Sequence, residues 1–363
     1  MGTAPDLAVR DRGGQPAAPV RVLVVDDSPT VRAVFARLIE TEADLALAAS
    51  LGCAEDALEV LQQTPADVIL LDLDMPGMGG LDAIPRLLEV ASPARILVVS
   101  SLAVRGAEHT LSALSLGAAD TLAKPRPGEF GGEYRATLLR KIRLLGRVAK
   151  RARLKSEPPA PPPLLRPCGT ITPHVLAIGA STGGIHAVGQ LLSALPAQVS
   201  VPIFITQHLP GSFMEPFVRQ LRAASGREAR VAEDGLVVRP GQIIVAPGDA
   251  HLTVVASKEG PFVVRLEYGV VESGCRPSVD PMFASCARLY GSHALGVVLS
   301  GMGRDGAEGA SRIVAAGGTI LAQDAASSAV WGMPGAVANA GLASALLPPD
   351  QIAHRIAEAA GVA

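Results

Sequence analysis

Short runs of consecutive Val, Ile and Leu alternate along the chain with longer stretches in which apolar positions recur every three to four residues. A run of four to six apolar residues suits a strand buried on both faces, and the three-to-four spacing suits a helix with one buried side. In the first half strands are expected at 21–25, 68–71 and 96–100, with weaker ones at 45–49 and 121–123. In the second half they are expected at 175–178, 203–207, 243–246, 295–300 and 319–322. This βαβ rhythm, repeated in both halves, predicts an α/β fold of two doubly wound parallel-sheet domains, whose ligands bind where a strand gives way to a loop. The halves do not resemble each other, and no short repeat is present.

The rhythm fails in two places. Residues 1–19 hold Gly13, Gly14, Pro16 and Pro19 without apolar periodicity, and are expected to be a disordered tail. Between Ser156 and Pro173 stand Pro158, Pro159, Pro161, Pro162, Pro163 and Pro167, a density that excludes helix interiors and favours an extended linker. The expected division is therefore a tail at 1–19, a domain at 20–148, a linker at 149–170 and a second domain at 171–363. Ahead of the linker Arg140, Lys141, Arg143, Arg147, Lys150, Arg151, Arg153 and Lys155 surround Leu138, Ile142, Leu145 and Val148 at helical spacing. A terminal helix with a solvated basic face is the reading preferred to a partner-binding patch.

Composition narrows the function. The 363 residues, at about 150 per domain, allow two domains, and 48% hydrophobic content supplies two cores. Lys and Arg total 32 against 34 Asp and Glu, a formal charge of −2, which gives no field for nucleic acid or an anionic membrane. Cys53, Cys168, Cys275 and Cys286 form no Cys-x-x-Cys pair and are expected to be reduced, buried, small and inert. With no long apolar run and no signal-peptide core near the start, the expectation is a cytoplasmic protein without membrane insertion.

Chemistry gathers at two sets of expected strand ends. One strand ends in Asp26-Asp27, another in Asp72, 45 residues beyond Asp27, a third at Ser100-Ser101, and a fourth is followed by Lys124-Pro125. Three converging carboxylates repel one another unless a divalent cation holds them, and hard oxygen ligands with room for water suit Mg²⁺. The set makes a phosphoryl-accepting pocket, with Asp72 as nucleophile, Mg²⁺ on Asp26, Asp27 and Asp72, and Lys124 as a fixed charge. Taken singly, Asp27-Ser28 could cap the helix starting near Pro29, and Lys124-Pro125 could be a turn.

The second set begins where the strand at 175–178 runs into Gly179-Ala180-Ser181-Thr182-Gly183-Gly184 and a helical pattern. Gly179, Ser181 and Gly183 satisfy G-x-S-x-G, which presents a serine hydroxyl above a sheet edge beside helix N–H groups. A dinucleotide turn is disfavoured because Ser181 replaces its second glycine, and a P-loop because no Lys follows Gly184; a purely structural glycine turn stays open. The next strand ends at His208, and the strand at 295–300 runs into Gly301-Met302-Gly303-Arg304-Asp305-Gly306. His208 can then act as base for Ser181 and Asp305 can orient the imidazole, with the backbone N–H groups of Thr182 and Met302 as an oxyanion hole. His208 could instead be a backbone-bonded strand end and Asp305 a turn residue. His109, His174, His186, His251, His293 and His354 lack such a context and are read as structural. The order Ser, His, Asp is not that of the common α/β-hydrolases.

Asp-Asp, an Asp followed by Met75-Pro76-Gly77, a hydroxyl and Lys-Pro at successive strand ends resemble the response-regulator receiver domain, a flavodoxin-like fold, over about 20–148. The resemblance implies phosphorylation of Asp72 by a histidine kinase, with Ser100 as the switching hydroxyl. Thr121 stands where an aromatic switch residue is usual and Gly79 where an Asp often precedes Gly80. Residues 179–184, Gln207-His208, Pro277-Ser278-Val279-Asp280, residues 301–306, Ala322-Gln323-Asp324 and Trp331-Gly332-Met333-Pro334 resemble the catalytic α/β domain of chemotaxis protein-glutamate methylesterases over about 171–363. Ala325 departs from a usual acidic residue. The pair implies a phosphorylation-regulated enzyme that releases methanol from glutamate methyl esters on chemoreceptors and deamidates glutamines. Mg²⁺ is expected in the receiver, no cofactor for the esterase, and a monomer with a receiver that covers the cleft until phosphorylated. The competing classes are a docking module with a disused hydrolase site and a transcription factor, the latter lacking a basic recognition helix in 171–363.

Overall fold

The computed structural model describes residues 18–100, 104–125, 131–153, 163–167, 171–258 and 260–362. Most of the expected tail, Ser101, Cys168 and much of the proline-rich stretch lie outside these residues. The first body contains β1 (Val20–Val25), α1 (Pro29–Glu40), β2 (Leu45–Leu51), α2 (Ala54–Gln63), β3 (Val68–Leu71), α3 (Gly80–Val90), β4 (Arg95–Ser100), α4 (Val104–Ser115), β5 (Asp120–Ala123) and α5 (Gly132–Arg153). Its sheet has the order β2-β1-β3-β4-β5, and β1 runs parallel to both β2 and β3. All four residues of β3 are buried, as an unalternating Val-Ile-Leu-Leu run requires when helices cover both faces.

The basic face of α5 is less solvated than expected. Arg135 and Arg143 pair with Glu42 at 2.6 and 2.7 Å, and Arg143 with Asp44 at 2.7 Å. Arg153 pairs at 2.8 Å with Asp67, which is fully buried and also accepts the Arg21 backbone N–H at 2.8 Å. The acidic partners sit ahead of β2 and β3, out of reach of any reading of the helix alone. The pairs on Glu42 and Asp44 are partly exposed and contribute little to stability, whereas the buried Asp67 would be costly to leave without its arginines.

The second body contains β6 (Val175–Ala180), α6 (Gly184–Ala194), β7 (Ile203–Gln207), α7 (Met214–Ser225), β8 (Ala229–Val231), β9 (Ile243–Val245), β10 (His251–Ala256), β11 (Phe262–Glu267), α8 (Val279–Tyr290), β12 (Ala294–Val298), α9 (Ala307–Ala315), β13 (Thr319–Gln323), α10 (Met333–Asn339), β14 (Ala345–Leu347) and α11 (Pro349–Ala359). Seven strands form a parallel sheet in the order β14-β13-β12-β6-β7-β9-β8. An antiparallel hairpin, β10 with β11, stands apart from it. The hairpin, β8 and β14 are absent from the sequence reading. The hairpin buries Leu252, Val254 and Val264 in one cluster with Val279, Met282 and Phe283, so α8 is covered by a second small sheet as well as by the main one.

Both sheets reverse direction at one point. In the first, β2 lies on one side of β1 and β3 on the other; in the second, β7 and β12 flank β6. Loops leaving the two strands on either side of such a switch point diverge and open a crevice at the carboxyl edge. The crevices lie beside Asp26, Asp27 and Asp72 in the first sheet, and beside Ser181 and the 299–306 loop in the second.

Candidate active site and phosphoryl-acceptor site

The turn after β6 is built without strain on the serine. Among the described residues no non-glycine has a positive φ; Gly183, two positions on, takes the left-handed conformation at φ 75°. A Cβ at Gly183 would collide with the Ala329 methyl group, so glycine is needed there for room as well as for conformation. Ser181 is tied in place by its N–H donating to Ser300 O at 3.0 Å and by its carbonyl accepting from Gln207 Nε2 at 2.9 Å. Its neighbour across the sheet is the chain entering His208, whose N–H donates to Ala180 O at 3.1 Å. Thr182 follows within the turn, and Met302 stands exposed in the loop after β12.

His208 and Asp305 meet directly: Nε2 lies 2.8 Å from Oδ2. Asp305 is only 2% exposed and accepts two further bonds, from Ser278 Oγ at 2.6 Å and from the Val279 N–H at 2.8 Å. Burial pushes its carboxyl up, but the bonds from His208, Ser278 and Val279 outweigh that and hold it well below the usual carboxylate range. An ionised Asp305 requires Nε2 to carry the ring proton, which leaves the lone pair on Nδ1. The pair thus does what an orienting acid and a base need to do.

Support for Asp305 comes from residues read otherwise in the sequence. Ser278 caps α8, its Oγ accepting from Asp280 N–H at 3.3 Å, while its own N–H donates to Nδ1 of the buried His251 at 3.0 Å. His251 is structural, and its structural task is to hold the segment that holds Asp305. Asp280 accepts from Gly309 N–H at 2.7 Å and is pushed up to about 7 by burial and by the neighbouring Asp305 charge. The expectation of burial holds for Cys286 alone among the described cysteines; Cys53 and Cys275 are half-buried. Cys275 lies beside His208 and Asp305, because the loop that delivers Ser278 brings it there.

At the first crevice carboxylate oxygens of Asp26, Asp27 and Asp72 lie within 4.8 Å of one another, Asp26 and Asp72 buried and Asp27 exposed. Oxygen ligands with one open side fit Mg²⁺. Ser28 caps α1 and its N–H donates to Asp26 Oδ1 at 2.9 Å, so the capping and the cluster coexist. Ser100 ends β4, buried, and its carbonyl accepts from Lys124 N–H at 2.8 Å just after β5. Thr121 is half-buried within β5, and Gly79 precedes α3.

Comparison with known proteins gives these sites a context. The family models for CheB methylesterase and for the response regulator receiver domain match residues 176–356 and 22–130. The chain is 46% identical over 346 residues to protein-glutamate methylesterase/protein-glutamine glutaminase 2 of Caulobacter vibrioides, covering 94% of this chain and 99% of that protein. It therefore belongs to the protein-glutamate methylesterase family. The Azospirillum brasilense member is 41% identical over 373 residues, 96% of this chain and 94% of its own. The crystal structure of the Thermotoga maritima CheB methylesterase catalytic domain is 34% identical with a TM-score of 0.50, covering 52% of this chain and 99% of that one. As a methylesterase-family chain, it carries a serine turn, a His–Asp pair and a receiver-type carboxylate cluster within one polypeptide.

Proposed function

We propose that this chain is a phosphorylation-controlled serine hydrolase that demethylates glutamate methyl esters, and deamidates glutamines, on chemoreceptors. The observation that carries the reading is the 2.8 Å bond between His208 and a threefold hydrogen-bonded, ionised Asp305, on the strand end beside the Ser181 turn. His208 takes the Ser181 proton as Oγ bonds to the ester carbonyl carbon. The oxyanion is held by N–H groups of Thr182 and Met302, and collapse returns the proton to the departing methoxide, releasing methanol. Water then attacks the acyl-serine with His208 again as base, yielding the glutamate carboxylate and free Ser181. Asp305 keeps the imidazole in its tautomer and steadies its charge throughout. For glutamine the leaving group is ammonia and the remaining steps are the same.

In the receiver, 20–148, Asp72 is the phosphoryl acceptor from a histidine kinase, Ser100 the switching hydroxyl and Lys124 the fixed charge. Asp26, Asp27 and Asp72 would hold Mg²⁺, which when bound neutralises phosphoryl oxygens. A linker joins the receiver, whose last helix α5 runs on past the expected boundary to Arg153, to the catalytic domain at 171–363. Tenfold activation needs about 1.4 kcal/mol of coupling. The reading is of a cytoplasmic, monomeric enzyme that uses no nucleic acid, with an esterase step that needs no cofactor; no helix of the described residues is long and apolar enough to cross a membrane.

The test is methanol release from methylated receptor membranes by the full chain and by Ser181→Ala, with a fluorophosphonate probe reporting the nucleophile. Loss of both signals in the variant supports the reading. Turnover that persists in Ser181→Ala refutes the assignment, and a wild-type chain that neither labels nor turns over favours a docking module.

A further inference from the structure

Among the described residues, donor atoms of three side chains converge at two places, and their chemistry differs. The receiver cluster is three carboxylates. The other is mixed: a ring nitrogen of His208, Sγ of Cys275 and a carboxylate oxygen of Asp305, all within 4.8 Å of one another. Nitrogen, sulfur and oxygen donors in one tetrahedral shell select borderline-soft ions such as Zn²⁺ over Mg²⁺.

We propose that His208, Cys275 and Asp305 form an inhibitory Zn²⁺ site built over the catalytic base. The inference rests on the reading of His208 as that base. A hydrogen-bonded His–Asp pair already presents a nitrogen and an oxygen 2.8 Å apart, and a cation can take the place of the shared proton. Bonds of about 2.0–2.2 Å to N and O and about 2.3 Å to S make tetrahedral edges of roughly 3.3–3.6 Å. The pair has only to open by about half an ångström, and Cys275 to close from within 4.8 Å. Ser278 Oγ and the Val279 N–H remain on the carboxylate and orient it, the supporting shell such sites need.

Binding exchanges protons for metal without redox change: the Cys275 thiol gives up its proton to water and Sγ bonds the ion. The ring proton leaves Nε2 and settles on Nδ1, so that the imidazole gives Nε2 to Zn²⁺. No lone pair is then left to accept the Ser181 proton, so the ion silences the esterase while leaving Ser181 untouched.

The experiment uses the full-length protein in saturating Mg²⁺, so that the receiver carboxylates are occupied, with a non-thiol reductant. Co²⁺ is added as a spectroscopic stand-in for Zn²⁺, and native protein is compared with Cys275→Ser and Cys275→Ala. Native protein is expected to give a thiolate-to-cobalt charge-transfer band in the near ultraviolet that both variants lack. Zn²⁺ titrations of methanol release, each normalised to its own metal-free rate, are expected to show half-inhibition shifted at least about tenfold upward in both variants. Absence of the band in native protein, its survival in the variants, or unshifted inhibition overturns the proposal. Because the band is read without turnover, an enzyme that bound Co²⁺ through Cys275 but released no methanol would refute the esterase reading and leave the metal site standing.

Discussion

Replacing Ser278 with alanine removes one oxygen and leaves the backbone alone, yet the hydroxyl serves three partners, one of them the Ser273 hydroxyl that donates to it at 3.4 Å. Ser278 Oγ donates to the buried Asp305 at 2.6 Å and accepts from Asp280 N–H at the head of α8. A hydrogen bond to a charged group contributes about 1.5–3 kcal/mol. If all of it is expressed in the transition state, where the imidazolium must be held, kcat/KM falls by about 10- to 100-fold. Cap loss adds about 0.5–1 kcal/mol to the stability cost, the low end because the capping bond is long at 3.3 Å. The assay is methanol release from methylated receptor membranes between pH 5 and 9, with fluorophosphonate labelling to count competent sites. Ser278→Thr, which keeps the hydroxyl, should recover most of the rate. An alanine variant with kcat/KM per labelled site within twofold of native would refute the view that Ser278 positions Asp305, since a merely structural loss lowers the competent fraction and leaves the rate per competent site where it was.

Three other perturbations have defined outcomes. Asp280, pushed up to about 7 by burial and the Asp305 charge, binds its proton more tightly in the folded state, so stability is lost as pH rises from about 4 through 7; Asp280→Asn, neutral at every pH, should flatten that fall in Tm between pH 4.5 and 8, and an equally steep fall would exclude Asp280 as its source. Gly183→Ala must place a methyl group in a left-handed residue that already abuts Ala329, and should lower unfolding free energy by about 1–3 kcal/mol in a urea titration; a change below about 0.5 kcal/mol would mean that the turn yields freely. Asp72→Asn should make the esterase indifferent to a small phosphodonor in Mg²⁺, and any remaining stimulation would locate the acceptor elsewhere.

What could be read from the chain depended on whether the signal was local. β3 was legible because a buried parallel strand is an unbroken apolar run, and the chemistry-bearing residues were legible because parallel strands deliver their ends to one edge. β14, three residues of Ala-Leu-Leu, carries no pattern that separates it from a helix turn, and it pairs only because β13 offers an edge. The β10–β11 hairpin breaks the βαβ rhythm to cover α8, a need that exists only once α8 has docked. Ser278 announces itself in sequence as a helix cap, and nothing nearby tells that the same oxygen reaches a carboxylate 27 residues on. Cys275 is half-buried rather than buried for a related reason: the absence of a Cys-x-x-Cys pair says nothing of a thiol carried beside a distant histidine.

The placement of Ser181, His208 and Asp305 after β6, β7 and β12 also sets when the protein can first act during its synthesis. Asp305 leaves the ribosome 305 − 181 = 124 residues after Ser181, roughly 6–25 s later at about 5–20 residues per second. On the proposed assignment the serine has no oriented base until β12 slots in beside β6, and a nascent chain that ends short of Asp305 is chemically mute. Competence is thereby tied to the arrival of β12, and the growing chain cannot attack esters before that strand has joined the sheet.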